Sequence, residues 1–141
     1  MADTFQLEVA TPERLLVDEQ VREAELPGKN GYLGVLPGHA PLLSALGSGV
    51  LTYSDGSGQR VLAIDGGFVE VLGDHVRVLA EHAEYARDIN VEAARRQLEE
   101  ASARLKDVRE NGDSEAVLRA IQKAQARVDA AQRVSGGASL S

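Results

Sequence analysis

The chain has three histidines, at 39, 75 and 82, and no cysteine. Their spacing matches neither a Ser-His-Asp arrangement nor a metal-ligand cluster, and thiolate chemistry is absent altogether. His39 lies in "NGYLGVLPGHAPLL", residues 30–43. There Pro37 and Pro41 fix φ, while Gly31, Gly34 and Gly38 allow close backbone approach. A catalytic base needs an orienting partner, and the sequence offers His39 none. The reading is a histidine tied by backbone hydrogen bonds into a stiff, shaped loop. The adjoining "LPGKNGYLG" carries the glycines and the Lys29 of a phosphate cradle. It lacks the hydroxyl that should follow the lysine and the helix N-terminus that would supply a dipole. A third candidate is electrostatic: Arg119, Lys123 and Arg127 recur every four residues and would share one line of a helix.

The elements that must carry these residues change character near residue 87. Upstream, "TFQLEV" puts Phe5, Leu7 and Val9 on one side and Gln6 and Glu8 on the other, which is strand periodicity. Similar runs recur at "QVREAEL", "GVLTYS", "RVLAID", "FVEVLG" and "HVRVLAE". Between them "PGKNG", "SDGSG", "DGG" and "GD" read as turns. Many short strands at this spacing predict an antiparallel sandwich or barrel over 1–87. Downstream, Val91, Ala94, Leu98, Ala101, Leu105 and Val108 step by three and four, as do Val117, Ile121, Ala124, Val128 and Ala131. Two such seams predict an antiparallel helical hairpin over 88–134. Asp88 or Asn90 would cap the first helix, Gly112 would stop it, and Asp113 or Ser114 would start the second. Residues 135–141, "SGGASLS", are expected to be a flexible tail.

Alanines hold seam positions where a stable coiled coil has leucine or isoleucine. A large buried aliphatic side chain contributes roughly 1.5–3 kcal/mol and alanine much less. The hairpin is therefore expected to be marginal, with an inner face for which a partner can compete. At about 100° per residue, Arg119, Lys123 and Arg127 fall well away from this seam, predicting a cationic ridge on the outer face of the last helix.

Composition limits the partners. The chain has 141 residues, 43% apolar and 26% charged, as in ordinary globular proteins. Its formal charge is −7, and residues 1–87 hold thirteen acids against six bases. Phosphate backbones and anionic membranes would repel such a chain, and aromatics for base stacking amount to only 4%. Nucleic acid is excluded as a partner. No apolar run approaches the roughly 18 residues of a membrane span, and "MADTFQLEVATPE" has no basic-then-apolar leader. The expectation is an intracellular chain that meets a membrane only through a partner.

"GYLGVLPGHAPLL", then "IDGGFVEV", "VRVLAEHAE" and an Ala/Arg/Glu-rich hairpin together resemble the epsilon subunit of F-type ATP synthases. The matching positions include Gly31, Gly34, Leu36, Pro37, His39, Pro41 and Leu42, then Gly66, Gly67, Phe68 and Glu70. The resemblance covers essentially the whole chain in order. It implies a β-sandwich of about ten antiparallel strands followed by the antiparallel α-helical hairpin. It further implies a non-catalytic rotor-stalk subunit without cofactor or metal, bound to the gamma subunit and the membrane c-ring in proton-driven ATP synthesis. The location implied is peripheral, on the cytoplasmic face of a bacterial inner membrane. The family's helices can rise along gamma and restrain ATP hydrolysis, with basic residues meeting an acidic segment of a catalytic beta subunit. Arg119, Lys123 and Arg127 are the residues here that would do so. On the same grounds Lys29, Asn30, Gly31, Pro37, His39, Pro41 and Leu42 are expected to dock the c-ring or gamma.

Two competing functions come from other classes. Some bacterial members of the family bind ATP in the folded hairpin, which would make the chain a nucleotide sensor. The matching positions are Ile89, Asn90, Ala94, Lys123 and Arg127. Asn90 stands where the family has an acid and Ala93 where it has an arginine, so the bidentate phosphate fork is lost and ATP binding is expected to be weak or absent. The other is a small hydrolase using His39, which lacks any partner residue.

Overall fold

In the computed structural model of the protein the described residues are 3–111 and 114–140, with side chains described for 3–108 and 114–134. Seven strands run β1 (Phe5–Ala10), β2 (Leu15–Val21), β3 (Glu23–Gly28), β4 (Gly31–Val35), β5 (Leu42–Ser54), β6 (Gln59–Leu72) and β7 (His75–Tyr85). A 3-10 turn over Ala86–Asp88 leads into α1 (Val91–Asn111) and α2 (Ser114–Leu140). The sheet order is β2-β1-β7-β6-β5-β3-β4. β1 alternates as its sequence requires: Phe5, Leu7 and Val9 are buried.

The sandwich is thus built from seven strands among the described residues, not about ten. The pairing is not wholly antiparallel either, because β1 lies parallel to β7. "RVLAID" and "FVEVLG" are one strand, and "DGG" is a kink inside β6 instead of a turn. Upstream of the kink Leu62 and Ile64 point into the core; downstream Val69 and Val71 do. That change of facing needs backbone that only glycine adopts readily, and Gly66 and Gly67 have φ of 72° and 115°. A Cβ on Gly67 would stand 2.0 Å from the Leu79 carbonyl oxygen. The bend lets one continuous sheet fold over on itself, and all seven strands contribute to a single buried cluster.

A second cluster lies on the outside of this sheet. Val50 of β5 with Val61 and Ala63 of β6 meet Val128, Ala130 and Ala131 of α2 and Ala94 of α1. Residues 49–53 and 61–64 are consequently buried on both faces, which explains why "VLAI" reads as an unbroken apolar run and "GVLTY" is broken only by Thr52. The α2 helix packs on β5 and β6, and α1 packs on α2. Asn90 caps α1: its Oδ1 accepts the Ala93 N–H at 3.0 Å. The proposed stop at Gly112 and the alternative start at Asp113 lie outside the described residues. The α2 backbone stays helical through Leu140, so the tail expected from 135 is helix up to that point. No proline after Arg133 interrupts it.

Candidate functional site

The loop between β4 and β5 is tied down by its own backbone. The His39 N–H donates to the Leu36 carbonyl at 3.1 Å, and its Nδ1 lies 2.7 Å from the Ala40 carbonyl oxygen. Gly38, with φ of 83°, makes the turn. Lys29, Asn30 and Gly31 form the exposed tip of the β3–β4 hairpin, and the Lys29 N–H donates to the Ala45 carbonyl at 3.0 Å. Pro37, His39 and Pro41 follow the other end of β4, so the expected docking residues fall into two groups. Between them Tyr32 lies over Gly49, its hydroxyl accepting the Val50 N–H at 2.9 Å.

Sequence reasoning named Phe68 and Glu70 only as positions of the resemblance and did not mark the outer face that they share with β5 and β7. Register places Phe68 opposite both Ala45 and Leu79, and Leu43 opposite Glu70. Leu43 is 71% exposed, Phe68 57% and Leu79 54%. With Glu70 and Arg77 they line a groove of about 120 Å³. The available signal was that Phe68 and Leu72 flank inward-facing Val69 and Val71, where strand alternation calls for polar residues. The rim is polar: Glu8 accepts from Arg77 Nε at 3.2 Å and sits 2.9 Å from His75 Nε2. Desolvation works to raise the Glu8 pKa, but the hydrogen bonds and charges of Arg77 and His75 prevail and hold it below the usual carboxylate value.

On the other side of the sheet the cationic ridge is not wholly an outer feature. The α2 helix buries a second stripe, Ala126 and Ala130, about 200–240° round from Ala124. That is the side where the ridge was expected to face solvent. Arg119 is exposed, Lys123 is half-buried, and Arg127 turns into the crease between α2, α1 and β7. There Arg127 donates from Nη2 and Nε to the two Glu84 oxygens at 2.9 and 3.2 Å, and from Nη1 to Gln97. Glu84, Gln97, Glu100, Arg104, Lys123 and Arg127 line a groove of about 440 Å³. Of the residues matched to a nucleotide site, Lys123 and Arg127 are in this groove. Ile89 and Ala94 are buried in the packing of the hairpin on the sheet, and Asn90 is occupied as the cap.

A bent sheet with an apolar outer face, a fastened loop and an alanine-rich hairpin laid across its back define a protein that works by mating surfaces. A family profile described as "ATP synthase, Delta/Epsilon chain, beta-sandwich domain" matches residues 4–86. The ATP synthase epsilon chain of Solibacter usitatus is 50% identical over 133 residues, 94% of this chain and 99% of that one. That of Nitratidesulfovibrio vulgaris is 41% identical over 138 residues, 98% of this chain and all of that one. A chain in the Euglena gracilis mitochondrial ATP synthase OSCP/F1/c-ring structure shares the fold, with a TM-score of 0.72 at 21% identity, covering 97% of this chain and 82% of that chain. A chain in the Tetrahymena thermophila mitochondrial ATP synthase central stalk/c-ring structure gives 0.57 at 14%, covering 92% and 94%. This chain belongs to the ATP synthase epsilon-chain family. It is a non-catalytic subunit, so the activity belongs to the whole assembly.

Proposed function

We propose that the chain couples gamma to the c-ring through its β-domain and restrains ATP hydrolysis through its hairpin. The observation that carries this is the exposed Leu43, Phe68 and Leu79 face beside the fastened loop of His39. Three large apolar side chains on adjacent strands are what a partner's helix would cover. The Leu36–Leu42 segment gives this face a rigid border toward gamma, while the Lys29–Gly31 tip is free to rest on the ring. Arg119 and Lys123 make no ion pair among the described residues and are available to an acidic segment of a catalytic beta subunit. The location is the cytoplasmic face of a bacterial inner membrane, reached through the complex. No helix among the described residues is long and apolar enough to cross a membrane.

Reconstitution with gamma tests the docking half. Phe68→Glu buries a charge at the centre of the face and is expected to weaken gamma binding by about a hundredfold or more while the β-domain stays folded. Undiminished gamma binding by this variant would exclude the face. Charge reversal at Arg119, Lys123 and Arg127 together is expected to relieve restraint of hydrolysis with gamma binding intact. Unchanged hydrolysis in the assembled enzyme would remove these cations from the mechanism.

A further inference from the structure

We infer that Glu84 is an internal competitor for Arg127: it holds the last helix on the sheet through the same guanidinium that an acidic partner would need. This rests on the reading above that α2 presents cations to such a partner.

The geometry joins three elements at one side chain. Arg127 of α2 places two donors on the Glu84 carboxylate of β7 and a third on Gln97 of α1. A two-point fork of this kind is the strong form of an ion pair. The Arg127 side chain is only 20% exposed and that of Glu84 37%, so the pair is partly withdrawn from water and from screening by salt. What else holds α2 on the sheet is small. Ala130, Ala131 and Val128 meet Val50, Val61 and Ala63, and short side chains bury little apolar area. The ion pair therefore adds a directional, charge-dependent contact to a thin apolar docking.

The fork edge that faces Glu84 cannot at the same time face an outside carboxylate. The ridge divides into two cations with no ion pair among the described residues, Arg119 and Lys123, and one that is latched. An acidic partner meets those two first, and it gains Arg127 only by displacing Glu84. Docking on the sheet and binding the partner become mutually exclusive uses of one side chain. The restraint on hydrolysis then has a threshold set inside the subunit.

The test uses the full chain, alone and in the assembled enzyme. Because the protein has no cysteine, a fluorophore pair at Gln59→Cys and Gln122→Cys reports specifically on the distance between sheet and α2. Glu84→Gln keeps an acceptor but removes the charge. It is expected to raise the open-to-closed ratio about three- to tenfold, a range discounted for the partial exposure of the pair. Arg127→Gln should open the hairpin similarly, and the double variant should open it no further than either alone. In the assembled enzyme Glu84→Gln should deepen restraint of hydrolysis about threefold, whereas Arg127→Gln should not deepen it. An unchanged label distance in Glu84→Gln, or additive opening in the double variant, overturns the latch. Opening without deeper restraint, where the triple charge reversal still relieves restraint, overturns the competition and leaves the proposed function standing. If the triple reversal has no effect, the helix contact itself fails, and the label distances alone decide on the latch. Unaltered melting of the β-domain in each variant confirms that the fold is retained.

Discussion

Replacing Val128 by alanine removes two methyl groups from the cluster that holds α2 to β5 and β6. The side chain is buried against Val50, Val61 and Ala63, among neighbours that are mostly alanine. Two methyls at about 0.8 kcal/mol each give a transfer loss of about 1.6 kcal/mol, and an unfilled space raises it toward about 2.5 kcal/mol. Alanine is the better helix former by roughly half a kcal/mol, which offsets part of the loss where undocking also unwinds α2. The net cost is about 1–2 kcal/mol, or roughly five- to thirtyfold in the docked-to-undocked ratio. Among the described residues, none of those buried in the core of the sheet comes from a helix, so the strands should not register the change. Hydrogen exchange read by mass spectrometry separates the two parts. Amides of α2 are expected to lose protection by this factor, and those of β1 and β7 to keep theirs. Unchanged protection in α2 would refute the view that this thin cluster holds the hairpin. Equal loss in β1 and β7 would show that sheet and hairpin unfold as one unit.

Gly67→Ala forces a side chain into a left-handed backbone position and onto the Leu79 carbonyl, and should destabilise the β-domain by more than about 3 kcal/mol in urea unfolding. A near-neutral result would mean that the kink is not required. Burial, followed by interactions with Glu19 and Tyr85, raises the Tyr53 pKa above its usual 10.0. The folded chain keeps this proton where the unfolded chain releases it, so the associated stability is whole below about pH 10 and declines as pH rises above it. Urea unfolding at about pH 8 and at about pH 10.5 should show a smaller alkaline loss for Tyr53→Phe than for the parent chain, and parallel losses would contradict the shift. Calorimetric titration of ATP into the full chain should give no binding at micromolar concentrations. Arg127 is already engaged by Glu84, Asn90 serves as a cap, and Ala93 offers no guanidinium. A micromolar affinity would reverse that conclusion.

The two-part architecture was legible along the chain because its periods are local. Phe5, Leu7 and Val9 alternate into the core, and Val117, Ala124, Val128 and Ala131 all lie on a buried seam of α2. Asn90 could be recognised as a cap for the same reason, since a cap acts within one turn. His39 was legible as a backbone-tied loop residue from its prolines and glycines alone. "DGG" was misread because a glycine pair that ends a strand and one that bends it look identical until the pairing of the neighbouring strands is known.

The surfaces were decided by packing between segments distant in the chain. Helical geometry gives the angle of Arg127, but only the docking of α2 on β6 shows that this angle faces Glu84 and Gln97 and not solvent. Likewise Phe68 and Leu79 lie eleven positions apart, and only the registers of β6 with β7 and with β5 make them one apolar face with Leu43. Amino-acid order sets which residues share a side of an element; which side is covered depends on a partner that local periodicity does not name.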